Sequence, residues 1–175
     1  MKKHVAATLL GLTVLGLLDV HLDLEPVDDG HVLRWQGRQH DVRGALAAHT
    51  NAWWRNCSAV ARLHESSAQA QQVLRLIAQH SPPDSTPLQL VHLLQQGDWL
   101  VAELTFEKLS PAVVLLQRDG SVQAPLGALT ERAIWSGSTE PWRSGPHIRA
   151  YLRARAPQAP QALLACLDPV SFGPA

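Results

Sequence analysis

The alternation of apolar and polar positions divides the chain into an apolar N-terminal segment, a helical region, a strand-rich middle and a helical tail. Apolar and aromatic side chains recur every three or four residues after position 42, which predicts a helix from Val42 to about Leu63. A second helix is predicted from about Ser66 to Gln79. The prolines of the stretch HSPPDSTP end this helix because proline cannot continue a helix interior.

The middle of the chain carries the period of two that is typical of strands. Between positions 99 and 107 every even position is apolar, and the odd positions include two glutamates and a threonine. This pattern predicts a strand with one buried face and one exposed face. The preceding QGDW favours a hairpin turn, so that residues 87–96 form a further strand, although the same residues also match a capped helix. The DG pair at positions 119 and 120 predicts the next hairpin, and RAIWSG predicts a final strand.

Further elements flank this meander on both sides. The stretch HVLRWQGRQHDV, which starts at His31, alternates around a Gln-Gly pair and predicts a hairpin. After Gly145 the chain is predicted to be helical, with a second, shorter helix between Pro160 and Pro169. The predicted fold class is α+β and two-layer, with an antiparallel β-meander of about four to five strands packed against N-terminal and C-terminal helices that cover one face of the sheet.

The N-terminal segment predicts export from the cytoplasm. Two lysines precede an uncharged apolar run from Val5 to Leu18, which has the length of a signal-peptide hydrophobic region, whereas a membrane-spanning helix needs ~20 residues. No clear cleavage site follows, so residues 1–18 are predicted to be a signal peptide or an uncleaved membrane anchor. A buried N-terminal helix or strand of a cytosolic protein is the alternative. Residues 19–30 are predicted to be a linker, and residues 31–175 a single domain in the periplasm, released or anchored to the inner membrane.

The chain has two cysteines, Cys57 and Cys166. In an oxidising compartment an even number favours a disulfide, which over so long a loop removes about 4 to 5 kcal/mol of conformational freedom from the unfolded chain. Two separate buried thiols are the alternative, because spacing alone does not show that the cysteines meet.

Composition and charge narrow the classes of function. Apolar residues make up 46% of the chain, which is enough for a folded core, and 15 basic residues balance 15 acidic residues. Nonspecific nucleic-acid binding depends on many lysine and arginine contacts to phosphates. The balance of charge therefore argues against a nucleic-acid partner.

Motifs for catalysis and for cofactors are missing from the sequence. His49, Cys57 and His64 share the stripe of the first predicted helix, but neighbours are seven or eight positions apart, or more than ~10 Å along a helix. They cannot converge on a metal ion, whose bonds are ~2.0 to 2.3 Å long. No G-x-S-x-G or phosphate-binding loop is present. No catalytic residue, metal or cofactor is therefore predicted, and an enzyme is the less favoured class.

Arginines and tryptophans form the predicted binding surface. Its members are Arg143, Arg149, Arg153, Arg155, Trp54 and Trp142. A solvated helix face and ordinary core packing are the simpler interpretations of these residues. The stretch IWSGSTEPW, positions 134–142, is expected to be a corner whose tryptophans hold the sheet against the C-terminal helices. The leading hypothesis is a noncatalytic domain of the bacterial envelope that binds another envelope protein, with possible membrane contact through the N-terminal segment; the oligomeric state is left open.

An alternative hypothesis places a small-molecule or enzymatic cleft on the exposed face of the sheet. His92, Trp99, Glu103 and Thr105 would line it. This interpretation requires that this face of the sheet be open and concave. A structural, anchored protein without a ligand is the third possibility.

Overall fold

The computed structural model describes residues 22–27, 30–82, 85–119 and 128–172. Eight strands lie in these ranges: β1 Leu22–Val27, β2 Gly30–Trp35, β3 Arg38–His40, β4 Ala61–Arg62, β5 Leu88–Gln96, β6 Trp99–Phe106, β7 Ala112–Asp119 and β8 Ala128–Ser136. Four helices lie in the same ranges: α1 Val42–Trp54, α2 Ala68–His80, α3 Ser144–Arg155 and α4 Gln161–Ala165. The predicted leader, residues 1–18, lies outside the described residues.

The strands form two antiparallel sheets that follow the order of the chain. One contains β1, β2 and β3, and the other contains β4 to β8. The β2–β3 hairpin turns on Gln36 and Gly37, both with positive φ, and Trp35 pairs with Arg38 across it. A two-residue loop of this kind matches the twist of the flanking strands. The predicted hairpin in this stretch is confirmed.

The β5–β6 hairpin resolves the ambiguity over residues 87–96. Gln96 pairs with Trp99, and Gly97 has a φ of 58°, so QGDW is the turn and the preceding residues form a strand. The helical alternative for these residues is wrong. Strand β7 pairs directly with β8, beginning at Asp119 opposite Ala128. The predicted DG hairpin lies mostly in residues 120–127, outside the described residues.

Helices cover both faces of the five-stranded sheet. Helix α2 packs against one face through Val73 and Ile77, which share a core cluster with Leu100 of β6. Helices α3 and α4 pack against the other face, where Leu152 joins a cluster that includes Val101. The α+β class and the meander packed against helices are confirmed. The helices form two layers around the sheet instead of one because adjacent positions of β6 are both apolar and both buried.

Strand β1 occupies part of the segment predicted to be a linker. It pairs with β2 from Leu22 opposite Trp35 to Val27 opposite Gly30. The side chain of Glu25 accepts a hydrogen bond from Gln39 of β3 at 2.9 Å, so β1 is also linked to the third strand of this sheet. The linker prediction is therefore wrong for residues 22–27, whose alternating leucines and acids are compatible with an edge strand.

Helix α1 ends at Trp54, well before the predicted end at Leu63. The backbone turns to an extended conformation at Arg55, and the chain leaves the helix before Cys57. Cys57 is bonded to Cys166, with 5.8 Å between their Cα atoms. The predicted disulfide is confirmed, and the helix is shorter because the chain turns toward its bonded partner. A disulfide of this kind is typical of compartments outside the cytoplasm.

Candidate functional site between helices α1 and α3

Helix α1 presents its large apolar side chains to solvent. Gly44 is its only buried residue, whereas Val42, Leu46 and Trp53 are 55, 68 and 75% exposed. Positions 42, 46 and 53 are four and seven residues apart, so their side chains lie along one side of the helix. We call these residues and His49, whose ring centroid is 5.3 Å from that of Trp53, the outer face of α1. A helix of a monomeric domain normally turns such a stripe toward the core, so this face is typical of a binding surface.

Asp41 fixes the start of α1 and links it to α3. One carboxylate oxygen accepts the N–H of Gly44 at 2.7 Å and caps the helix, and the other accepts the N–H of Arg143 at 2.9 Å. Glycine is required at position 44 because a Cβ there would collide with the Asp41 carboxylate. A single side chain therefore holds the first turns of α1 and α3 beside each other.

A groove of about 940 Å³ runs between α1 and α3. Trp135 of β8, Trp142 of the β8–α3 connection and Tyr151 of α3 supply aromatic lining, and Leu46 lines the groove from α1. Leu46 also belongs to the outer face of α1, so the groove and that face form one continuous surface. Large rings in a concave site favour binding because they bury much area with little loss of side-chain freedom.

The predicted corner IWSGSTEPW supplies two of these rings. Trp135 contacts His147 and Tyr151 edge-on, with 4.8 and 5.0 Å between ring centroids. Trp142 stacks on His147 at 6.2 Å with the ring planes 3° apart. Thr139 accepts the N–H of Trp142 with its carbonyl at 2.7 Å, which fixes the corner before α3 begins. The prediction that the tryptophans join the sheet to the C-terminal helices is confirmed.

The groove carries uncompensated positive charge. Arg43 and Arg153 are exposed and belong to its lining. Asp41 is the one acid among the described residues that line it, and both its oxygens already accept backbone N–H groups. The site therefore combines an aromatic interior with two exposed guanidinium groups that pair with no carboxylate of the described residues.

The four predicted arginines do not form one exposed face. Arg143, Arg153 and Arg155 are exposed, and the Arg155 guanidinium carbon lies 5.2 Å from the ring centroid of Tyr151. Arg149 is only 7% exposed and donates a hydrogen bond to a backbone carbonyl. The prediction that Arg149 belongs to an exposed surface is therefore wrong, because its side chain is turned toward the interior of the protein. Desolvation by this burial is the largest cause that lowers the pKa of Arg149.

The two predicted tryptophans lie in different surroundings. Trp54 is 81% exposed at the end of α1 and does not line the groove. Trp142 is half-buried and lines the groove. The structure thus brings Trp142 and Arg153 together at one site, while Trp54 projects from the end of the neighbouring helix.

The alternative cleft on the sheet is not open. Trp99 and Glu103 are buried beneath the C-terminal layer, and His92 and Thr105 are half-buried. One Glu103 oxygen accepts the N–H groups of Val170 and Ser171, at 2.9 and 2.7 Å. Glu103 therefore holds the chain that follows α4 against the sheet instead of facing a ligand. The expectation of an open face is corrected because α3 and α4 cover it.

Leu46, Trp53, Trp135 and Tyr151 belong to the surface but were absent from the predicted site. In the sequence, Leu46 and Trp53 share an apolar stripe, which is normally taken as a core stripe. The opposite side of α1 carries Gly44, Ala48 and Asn51, and the absence of a large apolar residue among them is the signal that the large residues face outward.

Comparison of the chain with models of protein families, with curated proteins and with solved structures finds no match. Across residues 22–172, with the gaps given above, no group of three histidine, cysteine, aspartate or glutamate residues is placed to hold a metal ion. In the same ranges no helix is long and apolar enough to cross a membrane.

Proposed function

We propose that this protein is a noncatalytic binding domain of the bacterial envelope, and that it binds an acidic, amphipathic helix of a partner protein in the groove between α1 and α3. The observation that carries the proposal is the outer face of α1, where Leu46 and Trp53 are 68 and 75% exposed and adjoin an aromatic groove of about 940 Å³. Burying such side chains against a partner contributes about 1.5 to 3 kcal/mol each. An accessory or assembly role in the envelope accounts for this surface.

The walls of the groove favour a helix as its occupant. Two helices border it, and a third helix packs between two others by placing apolar anchors at positions i, i+3 or i+4, and i+7. Tyr151, Trp142 and Leu46 offer aromatic and aliphatic surface to such anchors. Arginine and tryptophan are also the residues most often dominant in the energetics of protein interfaces.

The charges of the groove favour acidic residues on the partner. Arg43 and Arg153 are exposed, whereas the Asp41 carboxylate is already engaged by two backbone N–H groups. Complementary acids on the partner would steer association and fix the register of the helix. The partner chemistry that fits is therefore an apolar stripe flanked by aspartate or glutamate.

The disulfide supports both the compartment and the binding role. It joins the chain three residues beyond the end of α1 to the chain just after α4. Asn51 adds a hydrogen bond from its side-chain amide to the carbonyl of Ala165 at 2.8 Å. Because α1 buries little surface of its own, these links keep its outer face in one position, which lowers the cost of binding.

Photocrosslinking in the native envelope tests the proposal. A photoreactive amino acid is introduced at position 46, in the groove, and in a matched variant at position 79, on the exposed part of α2. Adducts are isolated and the crosslinked peptide of the partner is identified by mass spectrometry. The expected result is an adduct from position 46 alone, on a peptide with helical spacing of apolar residues and flanking acids. Equal adducts from both positions, or a basic crosslinked peptide, would contradict the proposal.

A small amphipathic molecule is the second candidate occupant. The volume of about 940 Å³ lies within the ~300 to 1,000 Å³ of typical small-molecule sites. The indole Nε1 of Trp135 is buried and has no hydrogen-bond partner within the described part of the chain, so it is a donor that a ligand could satisfy. Native mass spectrometry of protein purified from the envelope distinguishes the two. A copurifying compound that is lost in Trp142→Ala supports the small molecule, and protein of unmodified mass favours the helix.

A further inference from the structure

A second, smaller cavity of about 170 Å³ lies at the start of α3, and we call it the Arg149 pocket. It is bordered by α1, by the first turn of α3 and by the chain that follows α4. Three arginines line it, Arg55, Arg143 and Arg149, against a single carboxylate, that of Asp168. The cavity therefore gathers more positive than negative charge.

Arg149 is the buried member of this set. It is 7% exposed, and its Nη1 donates to the carbonyl of Leu167 at 2.8 Å. Among the described residues no ion pair joins Arg149 to a carboxylate, since the acid of the pocket, Asp168, pairs with Arg55 at 3.4 Å. An arginine keeps its charge at neutral pH. A buried cation without a carboxylate partner is costly, and a bound anion would relieve that cost.

The charges around Arg149 act on its pKa in opposite directions. Desolvation lowers the pKa of Arg149, Asp168 raises it, and the charges of Arg55 and Arg153 lower it. The lowering by Arg55 reflects repulsion between two guanidinium groups that face the same cavity. An anion between them would remove this repulsion.

The N-terminus of α3 also favours a bound anion. Arg143 occupies the N-cap position but makes no side-chain capping hydrogen bond, so the first N–H groups of the helix are not capped by a side chain. The helix dipole at this end favours negative charge. Gly145 lets the guanidinium approach closely, because a Cβ there would lie 3.1 Å from Nη1 of Arg149.

We propose that the Arg149 pocket binds a small oxyanion of the phosphate type through the guanidinium groups of Arg55, Arg143 and Arg149. Guanidinium groups bind phosphate oxygens with short, paired, charge-assisted hydrogen bonds. The cavity of about 170 Å³ is smaller than the ~300 Å³ at which sites for drug-sized molecules begin. The ligand is therefore free phosphate or a phosphate group at the end of a larger molecule.

This pocket adjoins the groove that binds the proposed partner and shares Asn51, Pro146 and Arg149 with it, but each of the two sites also has arginines of its own. Arg55 and Arg143 line the pocket and not the groove, whereas Arg43 and Arg153 line the groove and not the pocket. Substitutions of Arg55 or Arg143 therefore test anion binding in the pocket, and substitutions of Arg43 or Arg153 test helix binding in the groove.

Calorimetric titration of the purified protein with inorganic phosphate tests the pocket. The wild type is expected to bind one phosphate, and Arg55→Ala and Arg143→Ala are each expected to weaken binding by about tenfold, the loss of one charge-assisted contact. Arg75→Ala is the control, because Arg75 is exposed on α2 and lines neither the pocket nor the groove, and its affinity should match the wild type. Absence of phosphate binding, or an equal loss in Arg75→Ala, overturns the proposal.

Asp168→Asn separates anion binding from a structural role. The carboxylate competes with the anion for Arg55, with which it pairs at 3.4 Å, so its neutralisation should tighten phosphate binding by about threefold or more. If Arg55 and Asp168 only stabilised the fold, Asp168→Asn and Arg55→Ala would change the affinity for phosphate in the same direction, because both substitutions break the same ion pair. Weaker phosphate binding in Asp168→Asn therefore overturns the proposal.

Vesicle binding distinguishes the source of the phosphate group. Vesicles of phosphatidylcholine with and without phosphatidylglycerol are compared in a sedimentation assay. Binding that requires phosphatidylglycerol and is lost in Arg143→Ala identifies a lipid headgroup as the ligand. Binding of inorganic phosphate without vesicle binding identifies a free anion, and equal binding of wild type and Arg143→Ala to both ligands overturns the site.

Discussion

Removal of the disulfide is the perturbation whose effect the structure defines best. Cys57 and Cys166 are 109 positions apart, so the bond closes most of the domain into one loop. By the chain-entropy relation, a loop of this length removes about 16 cal/mol/K from the unfolded chain, or about 5 kcal/mol at 25 °C. This is a large share of the ~5 to 15 kcal/mol by which a domain is normally stable.

The Cys57→Ala/Cys166→Ala double variant should therefore lose about 3 to 5 kcal/mol of unfolding free energy. The lower end of this range applies because disulfides often stabilise a protein by less than the chain-entropy value. For a domain of this size the loss corresponds to a fall in Tm of about 10 to 20 °C. Urea denaturation and thermal melting of the double variant and the oxidised wild type measure both quantities. Reduced wild type is the control and should behave as the double variant does.

The loss should also be uneven across the molecule. Helix α1 buries only Gly44, and without the disulfide its C-terminal end is held by the hydrogen bond from Asn51 to Ala165 and by the ion pair of Arg55 with Asp168 at 3.4 Å. Its amide protons should exchange with solvent much faster than in the wild type, whereas those of β6 and β7, which lie in the core, should change less. A loss of less than ~1 kcal/mol, or α1 amides that stay as protected as those of β6, would refute this reasoning.

Three further substitutions test the packing and the exposed surface. Glu103→Ala leaves two backbone N–H groups without their acceptor and should cost about 2 to 4 kcal/mol of unfolding free energy in urea titrations. The control Glu107→Ala, at an exposed position, should cost less than ~0.5 kcal/mol. Equal costs would contradict the role of Glu103. Asp41→Ala removes the cap of α1 and its link to α3 and should cost about 1 to 2 kcal/mol in the same assay, and a neutral result would contradict that link. Trp53→Ala should change the unfolding free energy by less than ~0.5 kcal/mol because the ring is exposed. The same substitution should reduce the yield of the photocrosslink from position 46. A strongly destabilised protein with undiminished crosslinking would show that the ring serves the fold.

The sequence was sufficient for elements whose local signals agree. QGDW predicted the β5–β6 turn because glycine adopts a positive φ where two apolar runs meet, and the φ of Gly97 is 58°. The helical spacing predicted the position of α2, which runs from Ala68 to His80, and its apolar residues Val73 and Ile77 are buried. Cys57 and Cys166 were correctly paired because only one pairing is possible.

The sequence was insufficient to predict burial where a distant segment of the chain decides which face of a strand or helix is covered. Trp99 and Val101 were assigned to an exposed face because Glu103 shares it, but that glutamate is buried by hydrogen bonds to a segment 67 positions away. Periodicity located the stripe of α1 but does not show whether the interior or the solvent meets that stripe. The candidate groove depends on that orientation, which follows from the Asp41 link and the disulfide.

The arrangement of α1 and α3 also explains why two sites lie so close together. Asp41 joins the starts of the two helices, and the groove and the Arg149 pocket share three lining residues, Asn51, Pro146 and Arg149. An anion in the pocket would therefore stabilise the base of the groove, and phosphate should modestly increase affinity for the partner helix by pre-organisation.

A charge-reversal experiment tests the central claim most directly. The affinity of the crosslinked partner peptide is measured by calorimetry in phosphate-free buffer for the wild type, for Arg43→Glu/Arg153→Glu and for the control Arg55→Glu, whose side chain lies outside the groove. The double reversal is expected to weaken binding by about tenfold or more, and changing the acids of the peptide to lysine is expected to restore it. Arg55→Glu is expected to bind the peptide as the wild type does. Equal affinity of all three proteins for the peptide would contradict the claim that the groove between α1 and α3 binds an acidic helix.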